Sequence, residues 1–365
     1  MRVLVTGGAG YIGSHTVKTL CNFGHEPIIV DDLITSSRSN FHSLLGVPLI
    51  KTCISNNKEI SKILNGKHSE LDGTIHENKF VEAVIHFAAF SIVHESIRNP
   101  IAYYKNNVSH TISLLESIYE NNFNGLNKDN PIPIIFSSTC STYGIHKNYP
   151  ITEEFSQNPI NPYAKSKYFV EEILKDLSNV FNIRSIILRY FNVGGASRDM
   201  LIGENRDNET HLIPLAVKTA LEVNDNLAIY GTDYETPDGT CIRDYIHVCD
   251  VAEAHVKAME LLYLENKKGF DPLKKRLNNC NIFNLGTGKG YSVKEIIKVT
   301  EEVTKKKLKV TFQDRRVGDP PILLASCEKF KKVFDWEPKH RNIRRIIEDS
   351  YNWEICLLNN SHKNH

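Results

Sequence analysis

Tyr163 and Lys167 stand four residues apart, so on a helix they share one face. Asn161 can cap that helix, and Pro162 suits its first turn. A lysine ammonium beside a phenol favours the phenolate and lowers the tyrosine pKa from about 10. Such a phenolate is a general base for a hydroxyl proton. The spacing is cheap and occurs three times: Tyr143 with Lys147, Tyr163 with Lys167, and Tyr263 with Lys267. Context separates them. Only the second pair has the Asn-Pro start and lies downstream of a strand ending in the hydroxyl cluster Ser137-Ser138-Thr139. Those hydroxyls can relay a proton or simply cap a strand end. Tyr143 falls in a loop and Tyr263 runs into a polar stretch, so both are expected to be dispensable for chemistry.

A second constellation lies at the N-terminus. Gly7, Gly10 and Gly13 form G-x-x-G-x-x-G between an apolar strand and a helical pattern. Glycines let the backbone turn sharply and approach a pyrophosphate, and a helix N-terminus offers free N–H groups and a positive dipole end. Three glycines alone serve equally well in a structural turn. Asp31 ends the second apolar run, where an acid accepts hydrogen bonds from ribose hydroxyls and repels a 2′-phosphate. The pattern therefore points to NAD rather than NADP. Asp32 reads as a solvated turn residue.

Both constellations need a scaffold. Apolar runs at Val3–Thr6, Pro27–Val30, Val84–Phe87, Ile132–Phe136 and Ser185–Leu188 alternate with helical stretches. Continuous rather than alternating apolar strands imply helices on both sheet faces. The expected fold is α/β, a Rossmann-type doubly wound parallel sheet with a smaller C-terminal lobe. The expected division is residues 1–189 for the cofactor domain and 190–353 for the lobe, with about 243–262 packing back on the first domain, and 354–365 as a tail that frays from Asn359. Asn65–Asn78, Asn124–Pro131 and Glu265–Asn281 read as surface insertions.

Composition narrows the classes. Lys plus Arg total 44 and Asp plus Glu 43, so no net field favours nucleic acid or an anionic membrane. The 8 cysteines contain no CxxC pair and the 15 histidines no HExxH, so no metal is expected. No apolar run approaches the roughly 20 residues of a membrane span. With no leader ahead of the first strand, the expected compartment is the cytoplasm.

Taken together, Thr6-Gly-Gly-Ala-Gly-Tyr-Ile-Gly-Ser-His15, His86-Phe-Ala-Ala89, Phe136-Ser-Ser-Thr139, Asn161-Pro-Tyr-Ala-Lys-Ser-Lys167 and Arg189-Tyr-Phe-Asn192 resemble, in order, the extended short-chain dehydrogenase/reductase family. Three later blocks are similar to those of its UDP-glucose 4-epimerases: Glu209-Thr-His-Leu-Ile-Pro214, Pro237–Val248 and Arg315-Arg-Val-Gly-Asp319. The similarity runs from Met1 to about Trp353. The resemblance implies that Thr139, Tyr163 and Lys167 are catalytic. It implies NAD contacts at Gly7, Gly10, Tyr11, Ile12, Gly13, Asp31, Ile54, Phe87, Ala88, Ala89, Asn106, Lys167 and Tyr190. It assigns the UDP-sugar to Thr139, Tyr163, Asn192, His211, Leu212, Tyr230, Arg243, Arg316, Asp319 and Leu323. Within that set, Arg243 and Arg316 would hold the diphosphate, Tyr230 would pack on uracil, Asp319 would bond the uridine ribose, and Leu323 would sit beside the sugar C2 substituent. Read without the family, Arg243 and Arg316 are solvated surface arginines and Leu323 is a core leucine.

Three departures stand out. Cys53 replaces the family's acid near adenine, Ser91 replaces the usual lysine after His86-Phe-Ala-Ala89, and Thr139 stands where many members have serine. The implied reaction is inversion at C4 of UDP-glucose and UDP-galactose through a 4-keto intermediate. Alternatives are 4-epimerisation of UDP-N-acetylglucosamine, UDP-glucuronate or a UDP-pentose, or an NAD-sensing protein without chemistry. A 4,6-dehydratase of the same family would carry Asp-Glu after Thr139, where this chain has Cys140-Ser141. A homodimer packing the helices around Ser109–Glu120 and Ser166–Leu177 is also implied.

Overall fold

Val3, Leu4 and Val5 are fully buried, as are Ile28, Ile29 and Val30. Strands apolar on both sides are stable only where both faces are covered. In the computed structural model, which describes residues 1–36, 46–69, 75–76, 80–124, 130–181, 183–267, 270, 276–316 and 319–361, they belong to one seven-stranded sheet. Its strands are β1 (Arg2–Thr6), β2 (Glu26–Asp31), β3 (Leu49–Lys51), β4 (Ala83–His86), β5 (Ile134–Thr139), β6 (Ser185–Tyr190) and β7 (Cys280–Leu285). They lie in the order β7-β6-β5-β4-β1-β2-β3 and every pairing is parallel. The chain starts in the middle at β1, runs outward to β3, then restarts at β4 on the other side. Such a reversal opens a crevice at the carboxyl ends of the strands.

Alternate residues of β1 feed separate cores. Val3 and Val5 pack with Leu20, Val251 and Met259 on one face. Leu4 packs with Ile60, Leu114 and Leu174 on the other. The helices behind these contacts are α1 (Tyr11–Asn22), α2 (His110–Asn124), α3 (Pro162–Phe181) and α4 (Val248–Asn266), with α4 lying against α1.

A smaller set of strands follows β6. Ile242–His247 pairs antiparallel with Gly290–Ser292 and parallel with both Ile322–Leu323 and Asn192–Gly194. Leu227–Tyr230 pairs in parallel with Val310–Gln313. These short strands carry Asn192, Tyr230, Arg243 and Leu323.

Two sequence expectations need correction. Residues 280–285, assigned to the second lobe and its preceding insertion, form β7 at the edge of the central sheet. Asn281 and Asn284 interrupt its apolar run, yet Asn284 is buried and its amide donates to Ile151 O at 3.0 Å. The supposed tail from 354 continues the helix Ile343–Ser361, anchored by the buried Trp353 and Glu354; residues 362–365 lie outside the described residues. Of the three insertions, 70–74, 77–78, 125–129, 268–269 and 271–275 also lie outside them. The first contains a short antiparallel pairing of His68–Ser69 with Ile75–His76.

Candidate active site

A cleft opens at the carboxyl ends of β1, β2, β4, β5 and β6. At its base the loop after β1 turns into α1. Gly7 has φ +68°, and a Cβ there would lie 2.6 Å from Ala88 N. A Cβ on Gly13 would lie 2.2 Å from Gly7 O. No larger residue fits either place, which lets strand, loop and helix meet closely. Gly10 precedes α1 without a side-chain cap, and the first turn holds no acid. The orphan N–H groups of that turn are therefore left for an anion.

Asp31 ends β2 beside this turn. One carboxylate oxygen accepts from Ala9 N–H at 3.1 Å, the other from Leu33 N–H at 2.9 Å and Ser36 Oγ at 2.8 Å. Burial raises its pKa, and these three donors oppose the rise. The cleft wall also contains Gly7, Gly10, Tyr11, Ile12, Gly13, Ile54, Phe87, Ala88, Ala89, Asn106, Tyr163, Lys167 and Tyr190, all singled out from sequence. Cys53 lines it too, its Sγ 3.1 Å from Ser55 Oγ. Asp32, read as a mere turn residue, is on the wall as well.

The tyrosine–lysine pair sits at the far end. α3 starts as expected, with Asn161 Oδ1 accepting from Ala164 N–H at 2.8 Å. Lys167 Nζ is buried and donates to Ser137 O at 2.8 Å, and it lies 4.8 Å from the Phe136 ring centroid. Ser137 Oγ is hydrogen-bonded to the Tyr190 hydroxyl. The expected depression of the tyrosine pKa is not what this environment produces. Burial pushes Tyr163 well above its ordinary range, Tyr190 adds to the rise, and the Thr139 hydroxyl opposes it. Burial also pulls Lys167 down to about 7, against the pull of Glu171. In a buried site both groups favour their neutral forms.

The other two tyrosines are elsewhere. Tyr143 is buried, donates to Asn284 Oδ1 at 2.7 Å and carries the Arg189 guanidinium 4.8 Å over its ring. Tyr263 bonds Glu82, with Lys267 Nζ 4.7 Å above its ring. Neither lines the cleft.

The residues assigned to a nucleotide-sugar lie outside that wall, apart from Tyr163, and pair among themselves. Arg316 Cζ lies 3.8 Å from the Tyr230 ring centroid. Arg243 Nη2 is 3.5 Å from Asp319 Oδ1, and its Nη1 donates to Ile242 O at 2.9 Å. Leu323 is Cα-paired with Arg243 and packs with Cys140, Tyr143 and Phe191. Asn192 pairs with Tyr245. Leu212 opens the helix Leu212–Ala220, preceded by His211.

His211 Nδ1 lies 3.1 Å from Glu204 Oε1 and 3.0 Å from Glu209 Oε1. Burial would lower His211, but the two carboxylates outweigh it and push it up to about 9. Burial would raise Glu204, but His211 and Arg206 pull it down to about 2. The three groups lie within 4.8 Å of one another, a spacing a metal could use. Here Arg206 and His211 already balance the two acids.

Sequence reasoning missed several residues. Asn205 and Arg206 line the cleft from the irregular stretch before His211. Asn107 is buried, accepts from Phe90 N–H at 2.8 Å and donates to Ser166 Oγ at 3.0 Å, tying the loop after β4 to α3. It sits in a widened helical turn, Lys105–Ser109, of a kind that recurs at functional sites. Only the run of consecutive asparagines hinted at it.

The doubly wound sheet, the glycine cradle and the tyrosine–lysine pair define the class, a dinucleotide-binding scaffold of the extended short-chain dehydrogenase/reductase type. Residues 4–349 match the family described as GDP-mannose 4,6 dehydratase. A UDP-glucose 4-epimerase of Azospirillum brasilense is 40% identical, over 98% of this chain and 92% of that one. The Bifidobacterium longum UDP-glucose 4-epimerase, crystallised with NAD+ and UDP, superposes with a TM-score of 0.84 at 33% identity, covering 98% of this chain and 99% of that one. The UDP-Glc/GlcNAc 4-epimerase of Campylobacter jejuni gives a TM-score of 0.76 at 35% identity, covering 97% and 99%. The chain belongs to the family of the UDP-glucose 4-epimerases. The residues after Thr139 agree with that branch rather than with dehydratases, since Cys140 and Ser141 supply no carboxylate for elimination.

Proposed function

We propose that this chain interconverts UDP-glucose and UDP-galactose by inverting C4 through a 4-keto intermediate, with NAD bound in the cleft. The observation that carries the reading is that Tyr163 and Lys167 share one cleft with the glycine cradle and Asp31. The groups present suit the cofactor. The uncapped N-terminus of α1 faces a diphosphate, Asp31 faces ribose hydroxyls, and Phe87, Ala88 and Ala89 give an apolar wall. NAD held there would supply a reversible hydride acceptor for C4 of the sugar.

Tyr163 Oη takes the proton of the sugar 4-hydroxyl, with the Thr139 hydroxyl beside it as a relay. Lys167, held by Ser137 O, favours the phenolate when its ammonium is protonated. Tyr190 and Asn106 line the same cleft. Inversion requires the hexose to turn over while the nucleotide stays. A firm grip therefore belongs at the diphosphate, where Arg243 and Arg316 would bind. Tyr230 takes the uracil face, Asp319 the uridine ribose, and Asn192, His211 and Leu212 the diphosphate side of the hexose. Leu323 packs next to Cys140, one residue from Thr139. It leaves more room than a larger side chain would for a C2 substituent, which supports partial use of N-acetylated sugars.

Exposed Ile112 on α2 and Phe169 on α3 support the homodimer. Among the described residues no helix is long and apolar enough to cross a membrane, and the proposed compartment is the cytoplasm. The test is incubation of purified protein with UDP-galactose, followed by NMR of the sugar and by acid release of bound nucleotide. UDP-glucose with NAD(H) on the protein is the expected result. No turnover, or release of NADP alone, overturns the reading.

A further inference from the structure

Among the described residues, Arg206 and Lys167 are the two basic residues on the cleft wall. Lys167 Nζ is committed to Ser137 O at the tyrosine end. A dinucleotide brings two phosphate charges, against which the N-terminus of α1 sets only partial charges. A full cation at the cradle would complete the site, and Arg206 is built to be one.

Its fork is held rather than free. Nε donates to Glu204 Oε1 at 2.8 Å, and Nη1 reaches Ser91 Oγ at 3.4 Å on the loop after β4. Nη2 makes no hydrogen bond among the described residues, which leaves one edge of the guanidinium for a ligand. The arm that presents it is anchored. Glu204 O accepts from the buried Trp353 indole at 2.7 Å, and a Cβ on Gly203 would lie 2.5 Å from the Trp353 ring. Across the cleft, Tyr11 at the start of α1 donates to Gly195 O at 2.6 Å. Arg206 lines the same cleft wall as Tyr11 and Tyr190. Its Glu204 partner is shared with His211, and the Nη2 edge lies outside that pairing.

We propose that Arg206, delivered from outside the doubly wound sheet, is the cation that binds the diphosphate of the dinucleotide and keeps it on the protein. This rests on NAD being the cofactor. A prepositioned guanidinium suits a diphosphate because its planar donors match phosphate oxygens and little ordering remains to be done on binding. A purely structural Arg206–Glu204 pair would give no preference for phosphate-bearing ligands.

The test compares wild type, Arg206→Gln, Arg206→Lys, and Arg206→Gln combined with Ser91→Lys. NAD(H) released per chain and NAD affinity by calorimetry are measured on each. Adenosine, which lacks phosphate, is followed by ligand-observed NMR. Arg206→Gln is expected to lose most bound nucleotide and to weaken NAD by roughly tenfold or more, with adenosine unchanged. Lysine at 206, or at the neighbouring position 91, should restore much of the loss. Wild-type NAD affinity in Arg206→Gln overturns the proposal. So does an equal loss for adenosine that lysine at 91 does not restore, since that is a collapsed arm. If the wild type binds no NAD, the cofactor reading falls and takes this proposal with it; failure confined to the variants removes the proposal alone.

Discussion

The cleft proposed for the cofactor is made of backbone and buried groups, whereas the residues proposed for the nucleotide-sugar, which lie outside its wall, include more exposed side chains that hold one another. Gly7, Gly13 and Asp31 are fixed by close approach and by hydrogen bonds inside the protein. Arg316 rests on Tyr230, and Arg243 reaches Asp319 at a long 3.5 Å. Magnitudes separate the two designs. An exposed cation–π contact is worth about 0.5–1 kcal/mol, and a surface ion pair about 0–1 kcal/mol. A charge-assisted bond to phosphate is worth about 1.5–3 kcal/mol. A diphosphate can therefore take both arginines from their resting partners. One half is suited to keep its ligand through many turnovers, the other to exchange it.

Removing the base should give the largest effect. Tyr163→Phe keeps the ring and the cleft, so fold and nucleotide content should stay while kcat falls about 10²- to 10⁴-fold. A variant with near-normal kcat would place the base elsewhere. The comparison itself is tested by Arg243→Ala and Arg316→Ala. Each should weaken UDP by roughly tenfold or more while NAD content holds. Loss of NAD in either variant would show that the two halves are not independent.

Tyr143→Phe addresses the competing pair. Its hydroxyl is buried on Asn284, so the loss should appear as about 1–3 kcal/mol of stability, read as a lower denaturant midpoint, with catalysis retained. A crippled but fully stable variant would reverse the choice of pair.

The smallest effect is a pH response. His211 is pushed up to about 9 from an ordinary 6.5. A raised value contributes stability that is fully present below about pH 6.5 and is lost as pH rises through about 9. The ring is 41% exposed, so solvent screens the pair and the gain stays modest. Melting temperature should drift down between pH 7 and 9.5, and the drift should shrink in His211→Asn. An unchanged slope in that variant assigns the drift to other groups.

The legible parts of the molecule are those whose signal is short in sequence. The apolar β1, the glycine turn, Asp31 and the Asn161-capped helix each fit within a few residues. β7 was missed because Asn281 and Asn284 break its apolar run, although Asn284 bonds both Tyr143 and Ile151 O inside the fold. Arg206 was missed because its arm has no period to read. Arg243 and Asp319 meet across 76 residues, and no local pattern announces such a pair. The charge state of the catalytic pair was misjudged for a different reason. Spacing shows proximity, but burial decides protonation, and burial is a property of the whole fold.

The central claim is that hydrogen leaves C4 of the sugar as hydride and returns to the same carbon from within the closed site. UDP-galactose is incubated with the protein in D2O, and the C4 position of the product is read by NMR. UDP-glucose bearing protium at C4 is the predicted result. Deuterium at C4 would mean that a solvent proton enters the bond being remade, and would contradict the account.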